Sequence, residues 1–357
     1  MIRVLSVMVL ALAVYLCCGN ASCRATDIVG AGATFPYPVY SAWAEAYKKE
    51  TGVNIAYQAI GSAAGIRQIK AGMVTFAASD IPLSADELER SNLLQFPVVL
   101  GGIVPVVNLQ HIKPGQIRLD GATLADIFMG EITVWNAPQI AALNPGITLP
   151  DIPIVPVTRS DGSGTNFIFT SYLAQVSPSF KTQIGAGATV AWPHATAARG
   201  NEGVAEKTAE NDGALGYVEY VYAKEHGMTY VNMIDAAGKG VTPGLASFRA
   251  VAQDAARQGD SHEPDSTSQT NATGWPIVGA SFVLLPKQPQ DPALAQEALR
   301  FFAWAYAKGG AIAVALDYVP VSADAVEQIE KAWAQVPRGP DGNALWPSET
   351  ARVTAHP

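Results

Sequence analysis

A chain of 357 residues with 49% hydrophobic and 15% charged side chains is long enough to bury a large core and has an ordinary globular composition. That composition excludes disordered, collagen-like and coiled-coil chains, and the length fits two domains of about 100–200 residues each. The formal charge of −8 and the lack of any Lys/Arg run exclude a nucleic-acid partner, because no basic footprint for a phosphate backbone exists.

Arg3 precedes an apolar run from Val4 to Cys18, and the small and polar stretch 19–25 follows it. This is the layout of a signal peptide over residues 1–25, with cleavage after Ala21 or Ala25. The run is too short to span a bilayer, which takes about 20 residues. Lipid attachment at Cys18 or Cys23 is a second reading, weakened because neither has Leu three positions before it. Cys17, Cys18 and Cys23 all fall in this segment, so the exported remainder has no thiol and relies on its core instead of disulfides. Removing the segment also takes away Arg3 and Arg24 and no acid, which leaves a still more acidic chain.

Taken in order, residues 41–50 have apolar positions at helical spacing, Thr51-Gly52 stops them, and Val53 to Gln58 alternates as a strand. The beat recurs with a helix over Ile66 to Ala71, a small-residue strand over Phe76 to Asp80 and a capped acidic helix from Ser84. Phe96 to Asn108 is Val-rich but broken by Gly101-Gly102 and Pro105, so it reads as a strand followed by a crossing segment. Further α/β units follow: Thr123 to Met129 helical, Ile154 to Thr158 extended, Asn166 to Gln175 helical, and Ala214 to Val221 extended. Residues 254–274 are polar and read as an exposed loop, Ile277 to Leu285 as a buried strand, and 292–309 as an amphipathic helix. The pattern predicts an α/β protein of two lobes joined by a hinge: residues 26–104 with 278–357, and an inserted lobe of 105–277.

The most informative stretch is Thr158 to Thr165, TRSDGSGT, between a strand and a helix. Ser163, Gly164 and Thr165 at a helix start offer unpaired amides and two hydroxyls, and Arg159 adds a planar fork for an oxyanion. Plain N-capping selects the same residues, so the motif alone has two readings. Gly30 to Pro36 (GAGATFP), with Thr34 and Phe35, and Ile60 to Gly65 (IGSAAG), with Ser62, repeat the geometry. Phe35 replaces the third glycine of a dinucleotide fingerprint, and no Lys follows to make a P-loop. Asp80 closes a strand at the edge where α/β proteins place ligand groups, or else it caps the next turn. The turn Arg199 to Gly203 is assigned a structural role. The five histidines, His111, His194, His226, His262 and His356, are scattered, which excludes a His-based metal site or triad. Ser163 has no His or Lys neighbour to activate it, which speaks against an enzyme.

Together the segments GAGATFPYPVYSAWAEAY, IGSAAGIRQI, FAASDIPLS, TRSDGSGTNFIFTSYL and GALGYVEYVYA resemble the phosphate-binding proteins of bacterial ABC phosphate importers over about residues 27–335. The resemblance implies a type II periplasmic binding protein of the Venus-flytrap kind, a receptor that needs no cofactor and no metal. It implies phosphate contacts from Thr34, Phe35, Ser62, Asp80, Arg159, Ser163, Gly164 and Thr165, with Asp161 pairing Arg159. It also implies delivery of inorganic phosphate, as a monomer in the periplasm, to a membrane permease with its ATPase subunits. Ala63-Ala64 depart from the family's usual Ser-Gly, and the tail beyond about 336 does not align.

Overall fold

The computed structural model describes residues 27–234, 238–257 and 274–346. The stretch read as a signal peptide, residues 1–25, and most of the polar stretch 254–274 lie outside the described residues. The chain opens with β1 (Asp27–Gly32), α1 (Tyr37–Thr51), β2 (Asn54–Ala59), α2 (Ser62–Lys70) and β3 (Phe76–Ser79), and β1 runs parallel between β2 and β3. Helix α1 buries Val39, Tyr40, Trp43 and Tyr47, one stripe at helical spacing, and ends where the Gly52 amide bonds Lys48 O in a left-handed cap. In α3 (Ala85–Arg90) the Ser84 side chain accepts from the Glu87 amide, as the capping pattern predicts.

The long apolar stretch departs from the sequence expectation. It forms one strand, β4 (Leu93–Val107), whose partner changes part-way. The glycines do not break it, because they make room: a Cβ on Gly101 would lie 2.9 Å from the Phe35 ring, and one on Gly102 would lie 2.1 Å from the Phe248 ring. Pro105 is tolerated inside the strand, and its carbonyl accepts from the Val231 amide.

The middle of the chain supplies β5 (Arg118–Asp120), α4 (Gly121–Met129), α5 (Pro138–Leu143), β6 (Val155–Arg159), α6 (Gly164–Val176), α7 (Pro178–Gln183), β7 (Thr196–Ala198), α8 (Gly200–Glu210) and β8 (Ala214–Glu219). The strand expected through Val221 stops at Glu219, whose side chain accepts from the Val221 amide and starts α9 (Tyr220–Glu225). Three short strands, β9 (Thr229–Tyr230), β10 (Asn232–Ile234) and β11 (Gly240–Val241), lead to α10 (Leu245–Arg257), which extends into the stretch read as a loop. The chain then returns through β12 (Val278–Pro286), α11 (Pro292–Ala307), α12 (Gly310–Ala315), β13 (Val319–Pro320) and α13 (Ala323–Trp333).

The main sheet has the order β2-β1-β3-β12-β4-β8-β6-β7, with β9 and β13 also on β4. Strand β4 pairs antiparallel with β12 as far as Gly102 and with β8 from Ile103, so one strand carries the sheet from one half of the molecule to the other. Strands β1, β2 and β3 are parallel in one half, and β6 runs parallel to β7 and β8 in the other. All of the sequence-predicted turns follow the C-terminal ends of these parallel strands, where open α/β sheets present ligand groups.

Candidate ligand cleft

The residues predicted from sequence come together. Thr34 and Phe35 follow β1, Ser62 opens α2, Asp80 directly follows β3, and Arg159 to Thr165 join β6 to α6. Of these, Thr34, Phe35, Ser62, Asp80, Arg159, Ser163, Gly164 and Thr165 are buried, and Asp161 is half-buried. The two turns touch: a Cβ on Gly164 would lie 2.5 Å from both Asp80 Oδ2 and Ser62 Oγ. Gly61 adopts φ of +93°, and a Cβ there would lie 2.4 Å from Asp161 Oδ2, so only glycine lets Ser62 start its helix against that carboxylate.

The hydroxyls are arranged as donors. Thr34 Oγ1 accepts from the Asn201 amide at 3.3 Å and its Nδ2 at 2.9 Å, and Thr165 Oγ1 accepts from the same Nδ2 at 3.3 Å. Ser62 Oγ accepts from the Asp80 amide at 3.2 Å, and Ser163 Oγ accepts from the Asn166 amide at 3.0 Å as the N-cap of α6. Each oxygen has accepted a bond, so each keeps its own proton to give away. Gly164 and Thr165 open α6, and the first amides of a helix have no carbonyl within it to bond.

Arg159 is the cationic centre. Its Nε and Nη2 donate to the two Asp161 oxygens at 2.8 and 2.6 Å, and its Nη1 finds no partner among the described residues. Desolvation pushes the Asp161 carboxyl up, but the hydrogen bonds and charge of Arg159, with the Gly200 amide, outweigh it and hold the acid below its usual range. The opposite pull acts on Asp80. Burial raises its carboxyl to about 7, against the opposing Ser281 hydrogen bond, Arg159 charge and Ser62 hydroxyl. Its Oδ1 accepts from Ser281 Oγ at 2.7 Å, and its Oδ2 has no partner among the described residues. The cleft therefore presents many donors, one guanidinium and one bare carboxylate oxygen.

A group whose folded value is raised stabilises the protein most below its unfolded value and loses that contribution as pH climbs to the folded one. For Asp80 this window runs from the ordinary 3.8 to about 7. The ligand-free protein is therefore expected to lose stability across that window, by on the order of a few kcal/mol. An Asp80→Asn variant should lack this component, and denaturant unfolding of both proteins at a series of pH values checks it; identical slopes would contradict it.

Sequence reasoning missed several groups. Asn201, in the turn assigned a structural role, ties Thr34 in one half to Thr165 in the other, and its Oδ1 accepts from the Glu219 amide at 3.1 Å. Ser281 comes from β12. Glu219 is fully buried, and burial raises its carboxyl well above the usual range. Tyr318 Oη lies 2.6 Å from Phe35 O and 2.9 Å from Glu219 Oε2. One phenolic proton cannot serve two acceptors. A protonated Glu219 that donates to Tyr318, which in turn donates to Phe35 O, satisfies all three. Tyr222 Oη donates to Thr34 O at 2.7 Å, so the 34–35 turn is held by side chains from several elements. No helix among the described residues is long and apolar enough to cross a membrane, and no cluster of metal-binding side chains occurs among them.

Comparison with known proteins places the chain among relatives. A family model described as the PBP superfamily domain matches residues 20–308. The phosphate-binding protein PstS of Haemophilus influenzae is 45% identical over 315 residues, which span 87% of this chain and 93% of that protein. The protein of the same name from Xylella fastidiosa is 46% identical over 314 residues, 87% of this chain and 86% of that protein. A solved structure of a high-affinity periplasmic phosphate-binding protein, bound with phosphate at pH 8.5, has a TM-score of 0.68 at 23% identity and covers 91% of this chain and 97% of that one. At that identity the likeness speaks for the fold, which is of the type II periplasmic-binding class as expected. With the family model matching most of the chain and these relatives 45% and 46% identical over most of both lengths, the chain belongs to the PBP superfamily and, within it, to the family of phosphate-binding proteins named PstS.

Proposed function

We propose that this protein is a receptor that clasps one inorganic phosphate between two lobes and hands it to an ABC-type permease with its ATPase subunits. The observation that carries the reading is the pairing of a buried Arg159 Nη1 with a buried Asp80 Oδ2, neither with a protein partner among the described residues, inside a ring of donor hydroxyls and helix-start amides. An oxyanion that keeps a proton fits both: Arg159, the hydroxyls of Thr34, Ser62, Ser163 and Thr165, and the amides of Phe35, Gly164 and Thr165 take its charged oxygens, and Asp80 accepts its proton. Fixed local donors bind the anion, and the acidic net charge does not oppose them at this range.

The lobes of the proposal are residues 26–104 with 278–357, and 105–277, and the change of partner along β4 between Gly102 and Ile103 supports a hinge there. In this reading residues 1–25 direct export, and the receptor works in the periplasm as a monomer. The reading includes no turnover, since Ser163 Oγ is the N-cap of α6, accepting from the Asn166 amide, and no hydrogen bond ties it to a His, Lys or carboxylate among the described residues. Protein isolated from phosphate-containing medium is expected to release about one phosphate per chain on unfolding, the stoichiometry of a single clasped ligand. Steady hydrolysis of a phosphate ester by the folded protein, or no releasable phosphate at all, would contradict the reading.

A further inference from the structure

Strand β12 reads VGASFVLLP, and Ser281 is its one side chain with a polar group, fully buried in the middle of the main sheet. Burial of a hydroxyl is unfavourable unless it bonds, and this one bonds outside its own strand, to Asp80 Oδ1 at 2.7 Å. The local backbone accounts for its aim. Along the β12–β4 ladder Ser281 faces Val99 and Phe282 faces Pro97, so β4 carries an extra residue there, and such a bulge redirects neighbouring side chains. On its other side β12 pairs with β3, Phe282 opposite Ser79, which brings Ser281 level with the strand end that carries Asp80.

We propose that Ser281 is a positioning residue for ligand selection: by occupying Asp80 Oδ1 it presents Oδ2 to the cleft as a bare acceptor and so sets which protonation state of an oxyanion is accepted. The inference rests on the phosphate reading above. Without the Ser281 donor, ionised Asp80 would hold two unpaired buried oxygens, and it would keep its proton to higher pH. A protonated Asp80 is a donor, which suits an oxyanion that carries no proton. The groups that face Asp80 are Arg159 after β6, Tyr40 of α1, Tyr57 of β2 and Tyr318 beside β13. Burial foremost keeps all three phenols far above their usual range and neutral, so Arg159 is the charge among them and it is already shared with Asp161.

The test is calorimetric titration of ligand-stripped wild-type, Ser281→Ala and Ser281→Thr proteins with phosphate and with sulfate between pH 5.5 and 8.5, with thermal unfolding recorded for each. Loss of one hydrogen bond to a charged group is worth about ten-fold, so in Ser281→Ala the acid limb of phosphate affinity should move up by about one pH unit. Sulfate affinity should rise at neutral pH, and Ser281→Thr, which keeps the hydroxyl, should follow the wild type. If the alanine variant does not fold, Ser281→Cys, a weaker donor of similar shape, is expected to show a smaller shift in the same direction. Profiles that stay parallel to the wild type, weakened or not, would overturn the assignment, since a merely structural serine lowers affinity alike at every pH. A wild-type protein that binds no phosphate would instead overturn the reading of the site itself.

Discussion

Asp80→Asn is expected to lose the rejection of sulfate while it keeps most of its phosphate affinity. A site with a buried group that demands a particular hydrogen-bond partner can discriminate by on the order of 10⁴–10⁵, because the wrong ligand leaves that group unpaired. Above about pH 7, where Asp80 is ionised, the wild-type mismatch is sharper, since its Oδ2 would face an anionic sulfate oxygen in a buried site. The Ser281 hydroxyl, which donates to Asp80 Oδ1, would choose the orientation of the new amide: its oxygen toward Ser281 and its NH2 toward the cleft. That NH2 donates to sulfate and phosphate alike. Phosphate loses one charge-assisted bond, about ten-fold in affinity, and sulfate gains by about a hundred-fold or more. Titration with the two anions at pH 8.5 measures both, and an unchanged sulfate affinity would count against the role given to Asp80.

The second large effect belongs to Arg159→Lys. The guanidinium holds both Asp161 oxygens and still has Nη1 left over, a division of labour that a single ammonium cannot reproduce. Lysine can keep the ion pair or reach the ligand, and either choice leaves a buried group short of a partner. Loss of bonds to a charged ligand oxygen should weaken phosphate by about a hundred-fold. Because Asp161 keeps some exposure, the stability cost should sit at or below the low end of the roughly 3–5 kcal/mol typical of breaking buried pairs. Thermal unfolding together with phosphate titration reads the two effects separately. Wild-type affinity in this variant would remove Arg159 from the binding role.

The donor half of the cleft was legible in the sequence because helix-start chemistry is local. The segments around Thr34, Ser62 and Ser163 to Thr165 place their hydroxyls within a few residues of the helix starts they serve, and strand-then-turn patterning places Asp80 and Arg159 at strand ends. Groups that act across the sheet left no local trace. Ser281 reaches Asp80 over 201 residues, Asn201 reaches Thr34 over 167, and Tyr318 reaches Glu219 over 99. A lone Ser in an apolar strand was the available signal for the first of these, and it points to a hidden partner without naming it. Gly101 and Gly102 read as a break in β4 because sequence patterning cannot tell a turn glycine from one that clears space for an aromatic ring. The end of β8 was placed too late for a related reason: Tyr220 and Val221 suit a strand by propensity, but Glu219 caps their amides into a helix.

The central claim is that a fixed set of donors and one bare carboxylate oxygen recognise an oxyanion by the proton it keeps. Calorimetric titration of the ligand-stripped protein at pH 8.5, where Asp80 is ionised, first with phosphate and then with sulfate, tests it most directly. The account predicts single-site phosphate binding at micromolar affinity or tighter, with no sulfate heat at millimolar concentration. Equal binding of the two anions, or binding of neither, would contradict it.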